Sequence, residues 1–384
     1  MSVQQVVARC LGLHSEKAGA GAAAADFLFR GFAHGFHLQV DADGNRLVAN
    51  TESNGRFHSD WLSMMYSRLK LARNLLSDDG VIFISIDDTE VSNLRKICEE
   101  LFGSNNLVGS FVVVRSEGGG LAKHLIKGHD NLLVFAKDLM NFKPLLRPKD
   151  IRGKVEMIDG EEYWIEEDWL REEFGKYGTC SYDDIEKFYN KDKKMEIDKG
   201  LKDGKYILID KQGKTIVGRY RKVSEDGSKF YSVIKHLNKE GVKDLNDVGL
   251  EKFFSYPKPI SLLKDMILGA SFFKKDKNSI VLDFFAGSST TAHAVMQLNA
   301  EDGGNRKFIM VQIPEVTDSK SEAFKAGYPT IAEISKERIR RAGAKIKSDN
   351  ADKHGINELD TGFRVLKIDT SNMNDIYYRP QDYN

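Results

Sequence analysis

Proline is scarce in this chain, with seven in 384 residues, none before Pro144 and no two adjacent. An active site whose backbone carbonyl is held rigid by paired prolines is therefore excluded. Cysteine is scarcer still: Cys10, Cys98 and Cys180 lie far apart and fit no metal-ligand spacing. So few in so long a chain suit a reducing compartment, and no metal site is expected. Net charge is also absent, with 57 basic residues against 57 acidic ones. A nucleic-acid-binding protein usually shows a basic excess, so any basic surface here must be local and offset elsewhere. No apolar run reaches the length of a membrane span. The first residues, MSVQQVVARCLGLHSEK, lack the continuous apolar core of a secretory signal, and a cytoplasmic protein is expected. Lysine is nearly missing from residues 1–50, where Lys17 stands alone beside the run AGAGAAAAD. The rest of the chain is lysine-rich, so residues 1–57 read as an atypical N-terminal segment of separate origin.

What is present is a chain long enough for two domains, or for one with an insertion. From Trp61, WLSMMYSRLKLARNLL carries a helical apolar stripe at Leu62, Met65, Leu69, Ala72 and Leu76. Ser77-Asp-Asp-Gly80 breaks it, and Val81–Ile86 follows as a buried strand. A helix through Leu94, Ile97 and Leu101 comes next, then strands at 111–114 and 131–135. Helices alternating with continuous apolar strands predict a parallel or mixed sheet covered on both faces. Between 139 and 250 short alternating segments stand among the turn signals Asp159-Gly160, Asp203-Gly204, Gln212-Gly213 and Asp226-Gly227. They predict hairpins in an inserted α+β region. Helix and strand patterns then resume with PKPISLLKDMIL, SIVLDFFA, TTAHAVMQLN, KFIMVQIPE and TIAEISKERIRRAGAKI. A polar C-terminal extension, 347–384, follows, with a strand expected at FRVLKID.

The stretch VLDFFAGSSTTAHAV, from Val281 to Val295, joins a strand ending in an acid to a small-residue turn and a helix start. Gly287 permits close backbone approach there, and amides at the helix start point toward a polar ligand. The spacing is not that of the dinucleotide fingerprint, and no lysine follows the turn as in a phosphate loop. A plain tight strand-to-helix turn remains the alternative reading of the stretch alone.

The stretch resembles the D-x-F-x-G-S-G-T-T loop of amino-methyltransferases that use S-adenosylmethionine. Together with RKFIMVQIPE, EAFKAGYPTIAEISKERIRRAGAKI and LLSDDGVIFISIDDTEVSNLRKICEELFG, it makes the chain similar to the modification subunit of type III restriction–modification systems. The likeness is close over residues 58–138 and 250–346. It implies a Rossmann-like methyltransferase sheet in permuted order, split into a first part at 58–138 and a cofactor-binding part at 251–346. The insertion at 139–250 takes the place of the target-recognition region. The implied cofactor is S-adenosylmethionine, held by Asp283, Phe285, Ala286, Gly287, Ser288, Thr290 and Thr291. Lys258 and Pro259 are implied at its carboxylate end, where a surface lysine before a helix is the alternative. Gln312 stands where an acid usually holds the ribose, with Glu315 three residues on. Ser289, where glycine is usual, adds a side chain to a crowded turn and is expected to weaken cofactor binding. The implied activity is adenine-N6 methylation of double-stranded DNA. The implied partners are a second copy of the chain and a restriction (helicase-nuclease) subunit, with no membrane. Arg115, Lys123, Arg219, Arg221 and Lys222 are the candidates for DNA contact, the last three on a strand that can equally be a solvated edge.

Such enzymes flip the target base out and polarise its amine through an Asp-Pro-Pro-Tyr tetrad. This sequence contains no form of it, so no catalytic residue is assigned. The strand that should carry the tetrad is replaced by the alanine-rich segment. A truncated or fused copy is expected, with family sequence beginning near Phe57–Asp60 and catalysis impaired. His58 and Asp60 flank a helix start, where Asp60 is expected to cap. His293 is expected to be packed or at the surface. A non-catalytic module that binds cofactor, DNA or a restriction subunit is the alternative function.

Overall fold

The computed structural model describes residues 25–31, 57–118, 124–151, 153–172, 178–274 and 277–367. They form two compact units, one from the chain up to Leu145 and from Phe230 onward, the other from Leu146 to Lys229.

The strands are β1 (Ala25–Gly31), β2 (Leu76–Ile86), β3 (Leu107–Val114), β4 (His129–Ala136), β5 (Leu146–Pro148), β6 (Val155–Ile158), β7 (Glu161–Glu166), β8 (Tyr206–Lys211), β9 (Lys214–Lys222), β10 (Gly227–Lys229), β11 (Val233–Lys235), β12 (Ile280–Asp283) and β13 (Lys307–Met310). The helices of two turns or more are α1 (Phe57–Leu75), α2 (Val91–Phe102), α3 (Lys191–Lys202), α4 (Asn238–Asn246), α5 (Ile260–Ser271), α6 (Thr290–Asp302) and α7 (Ile331–Asp349).

The larger unit is built on one sheet in the order β11-β3-β4-β2-β1-β12-β13. β4 alone runs against the others; β2, β1, β12 and β13 are mutually parallel, and so are β3 and β11. Alternate residues of the central strands enter different cores. Val81, Phe83, Leu132, Val134 and Val281 pack under α5 and α6. Ile82, Ile84, Ile86, Leu133, Phe135 and Leu282 pack under α1 and α2. Both faces are covered, so these strands are apolar throughout rather than alternating. Each fully buried Leu, Ile or Phe contributes roughly 1.5–3 kcal/mol against leaving it in water. α7 adds an outer layer, with Ile339, Ala342 and Ile346 packed on Ala292 and Met296 of α6. It starts at Thr330, whose hydroxyl accepts from the Glu333 amide as a helix cap. This is the Rossmann-like sheet the sequence implies.

Four local expectations differ from the structure. The Ser77–Gly80 break is a bulge inside β2, because Leu76 already pairs with Ala25 before Val81 pairs with Phe27. Asp60 does not cap α1, which starts at Phe57 and takes Asp60 into its first turn. No strand forms over Phe363–Lys367: Phe363 packs on the α7 cluster, while Val365 and Leu366 stay exposed. A packed strand would bury alternate residues instead. The inserted unit is also shorter than 139–250. β11 pairs with β3, and Leu245, Val248 and Leu250 enter the core under α7, so residues 230–250 belong with the larger unit.

The smaller unit contains a sheet in the order β6-β7-β9-β8, with all neighbours antiparallel. Its two hairpins turn at Asp159-Gly160 and Gln212-Gly213, each with positive φ at both residues. Asp203-Gly204 ends α3 instead, and Asp226-Gly227 leads into β10, which pairs with β5. Leu170, Cys180, Ile185, Ile197 and Val217 form the small core.

Candidate functional site

In an open α/β sheet, ligands bind beyond the carboxyl ends of the strands where the strand order reverses. Here that point lies between β12 and β1. From β12 the chain crosses to β13 on one side, while β1 pairs with β2 on the other. The loop Asp283–Ser289 leaves β12 at this point and ends at the start of α6.

Gly287 and Ser289 both take left-handed conformations, with φ of 52° and 60°. The Ser289 amide donates to the Ala286 carbonyl at 2.7 Å, which closes the turn. A side chain on Gly287 would be strained and would meet the Phe254 ring at 3.3 Å. The Gly287 amide donates to Gln312 Oε1 at 2.7 Å, and Gln312 Nε2 donates to the Ile313 carbonyl. Gln312, expected at the ribose, therefore spends its amide oxygen on pinning the loop. Glu315 is placed by its backbone: its amide donates to Ile313 and its carbonyl accepts from Ile331.

Several of the expected cofactor residues are bound to one another or to α7. Asp283 is buried and accepts from the Thr291 hydroxyl at 2.7 Å and from the Phe285 amide at 3.1 Å. Burial raises its pKa to about 6, while those two hydrogen bonds oppose the rise. Ser288 and Thr290 accept from the guanidinium of Arg338 on α7. Ser289 meets Ser335 of the same helix. The extra hydroxymethyl at Ser289 thus lies against α7, fully buried, rather than crowding the open side of the turn. Of the loop residues only Phe284, Phe285 and Gly287 keep partial exposure. The small-residue requirement has two sources: α7 presses from behind, and the left-handed Gly287 lies against the Phe254 ring. His293 is packed inside, its pKa pulled to about 3 by burial and by the charges of Arg338 and Lys345.

Lys258 is held beside α5. Gly241 of α4 lies so close to this segment that a side chain on it would stand 2.4 Å from the Pro257 carbonyl. Pro259 is buried as the residue before α5. Lys258 Nζ reaches Asp130 Oδ2 at 2.5 Å, and Arg115 Nη1 reaches the other oxygen at 3.1 Å. Arg115 follows β3, and Asp130 opens the reversed strand β4, so both stand at the carboxyl edge of the parallel strands. Two residues assigned from sequence to different ligands thus share one buried carboxylate, and Asp130 itself was missed. The signal was small: an acid opening the apolar run GHDNLLVF.

The other DNA candidates are paired. Arg219 reaches Glu166 at 2.6 Å, Arg221 reaches Asp226 at 2.5 Å, and Lys222 reaches Glu161 at 2.6 Å. Asp226 also accepts from the Trp164 indole at 2.7 Å. Burial alone would raise its pKa, but the Arg221 and Trp164 hydrogen bonds hold it below the usual value. Lys123 lies outside the described residues. Near β2, His58 Nδ1 is 2.7 Å from Glu90, and Asp88 accepts from Asn131 at 3.0 Å.

β1 fills the sheet position beside β12, so a strand forms at the end of the alanine-rich segment that was expected to replace one. It ends in Phe29-Arg30-Gly31, and residues 32–56 lie outside the described residues.

A family description for DNA methylases matches residues 40–356, starting ahead of the boundary expected at residue 57. The Mod subunit of the type III restriction-modification enzyme StyLTI, from Salmonella typhimurium, is 34% identical over 82% of this chain and 49% of its own length. The EcoPI Mod subunit of Escherichia phage P1 is 30% identical over 84% of this chain and 56% of its own length. The type II methyltransferase M.KpnI of Klebsiella pneumoniae is 29% identical over 73% of this chain and 74% of its own length. The chain spans about half the length of the Mod subunits it matches. On the extent of these matches, together with the sheet and its loop at the reversal point, the chain belongs to the family of N6/N4 DNA methylases.

Proposed function

We propose that the chain is the methyltransferase part of a type III modification enzyme, an adenine-N6 DNA methyltransferase using S-adenosylmethionine, in which the acceptor half of the site is impaired. The observation that carries the reading is the Asp283–Ser289 loop at the strand-order reversal, in which only Phe284, Phe285 and Gly287 are partly exposed. The residues present fit the cofactor. An aromatic ring suits its cationic sulfonium centre, an exposed glycine allows close approach to the backbone, the α6 N-terminus suits a carboxylate, and Lys258 adds a cation. When bound, the cofactor supplies an electrophilic methyl group on a sulfonium. The chain's own part is to hold the loop shape through Asp283, Gln312 and α7, and to keep Lys258 poised on Asp130.

The acceptor side differs. An exocyclic amine is a poor nucleophile until a side-chain acceptor and a fixed carbonyl draw on its protons. The β1 position is filled by ADFLFRG, and no Asp-Pro-Pro-Tyr occurs anywhere in the chain. Loss of each such preorganised contact costs about two to three powers of ten in rate. Residues 146–229 are proposed as the target-recognition unit for double-stranded DNA. For Arg219, Arg221 and Lys222 to contact phosphates, each must exchange a carboxylate for one. A restriction subunit, a second copy of the chain and a cytoplasmic location complete the reading. The test combines calorimetry with S-adenosylmethionine and a tritiated-methyl assay on mixed-sequence duplex DNA. Cofactor binding without incorporation is the expected result. Incorporation by the chain alone would show that another acceptor, with Asp87 or Asp88 as the first candidates, serves the amine. Absence of binding at millimolar cofactor would remove the reading.

A further inference from the structure

Three consecutive loop side chains are held by one helix. Arg338 Nη1 donates to Ser288 Oγ at 2.8 Å and to Thr290 Oγ1 at 2.7 Å, and between them Ser289 Oγ meets Ser335 Oγ. Ser335 and Arg338 are three residues apart on α7 and so share a face. Arg338 is wholly buried. Burial pulls its pKa down to about 10, opposed by the charge of Asp244. Among the described residues its Nε and Nη2 have no hydrogen-bond partner. A buried guanidinium with two neutral acceptors is an unfavourable way to fill volume, since an apolar side chain of the same size would carry no desolvation cost. What an apolar side chain cannot do is hold two hydroxyls on either side of a left-handed residue.

The opposing charge matters as well. Asp244 Oδ2 accepts from the Ile260 amide at 2.8 Å, the first of α5, directly after Lys258 and Pro259. Arg338 is thus hydrogen-bonded to the loop and attracted by the carboxylate that holds the start of α5, next to Lys258. We infer that Arg338 is a positioning residue: acting with Ser335, it sets the relation of the loop to Lys258 and so determines affinity for the amino-acid end of the cofactor. This rests on the S-adenosylmethionine reading above.

Two probes separate the ends of the ligand. S-adenosylhomocysteine carries the amino-acid end, and 5′-methylthioadenosine lacks it. Calorimetry is run on the full chain, Arg338→Gln, Arg338→Lys and Ser335→Ala, with hydrogen exchange of residues 284–291 measured without ligand. Arg338→Gln is expected to weaken S-adenosylhomocysteine about tenfold or more and to leave 5′-methylthioadenosine within about threefold, as the loss of two charge-assisted hydrogen bonds predicts. Arg338→Lys should recover part of the difference, and exchange should speed up in the loop but not in β2 or β4. Equal loss for both probes, or no loss for either, overturns the inference while leaving the cofactor reading intact. A parent chain that binds neither probe overturns the cofactor reading, and this inference with it. Should Arg338→Gln fail to fold, Ser335→Ala removes a neutral member of the same brace. It is expected to shift the ratio of the two affinities in the same direction by about threefold, and an unchanged ratio would refute the proposal.

Discussion

The Asp283–Ser289 loop and strand β9 both looked, as sequence, like rows of ligand contacts, and the structure uses their polar groups in opposite ways. In the loop, hydroxyls are bound inward to Asp283, Ser335 and Arg338, so that an apolar ring and a glycine backbone face outward. On β9, charged side chains are partly exposed and each has a carboxylate partner within its own unit. The lesson is that a motif residue often shapes a surface rather than forming it. A loop braced by buried bonds is sensitive to every member, whereas partly exposed ion pairs tolerate loss.

The comparison is broken most sharply at Gly287. Gly287→Asp forces a side chain into a left-handed position against Phe254 and sets a carboxylate on the open face. Cofactor affinity should fall at least a hundredfold, about 3 kcal/mol, by calorimetry. An unchanged affinity would take the loop out of the site altogether.

Next in size is the titration of Asp283. Its folded pKa, about 6, lies above the ordinary aspartate value of 3.8, so the folded state holds the proton more tightly than the unfolded chain. Stability from this group is full below the unfolded value and declines as pH rises toward 6, by roughly 3 kcal/mol in all. Asp283→Asn keeps an acceptor for the Phe285 amide and has no charge to bury. Denaturant melts from pH 4 to 7 should show the parent losing stability relative to this variant. Parallel curves would mean the carboxylate is not desolvated.

Asp226 tests the other unit. Asp226→Asn takes from Arg221 the nearer of its two carboxylates, leaving Glu166 at 3.9 Å, and weakens the Trp164 hydrogen bond, at a cost of about 2 kcal/mol. Hydrogen exchange should quicken in β7 and β9 while β2 and β12 keep their protection. Loss of protection in both units together would show that they unfold as one.

The smallest effect is expected for Arg219→Gln and Lys222→Gln. Their charges are already balanced by Glu166 and Glu161, so each should change affinity for duplex DNA by less than about threefold, within the range of exposed pairs. A larger loss with a shallower salt dependence would show that the arginine or lysine leaves its carboxylate for a phosphate.

Much was legible from local pattern. The continuous apolar runs Val81–Ile84 and Ile280–Leu282 announced strands buried on both faces, because alternation vanishes when neither face meets water. Gly287 marked the turn for the same local reason: its φ is a property of a few bonds. Other expectations failed where the answer depended on distant segments. Gln312 was read from its place after a strand, yet its partner is an amide 25 residues away. Residues 230–250 looked like part of the insertion, and only the pairing of β11 with β3 returns them to the main sheet.

By itself, then, the sequence determined most of the central strands and helices, where the loop turns and which family it belongs to, because periodicity, turn chemistry and motif phrases are short-range properties. Tertiary structure decided the rest. It slots β1 between β2 and β12, gathers Arg115 and Lys258 on Asp130, and sets Arg338 of α7 behind Ser288 and Thr290. Each of these is a choice of partner across tens of residues. A buried charge or an unpaired strand edge accepts whichever partner the packed layers bring within reach, and no local pattern records that choice.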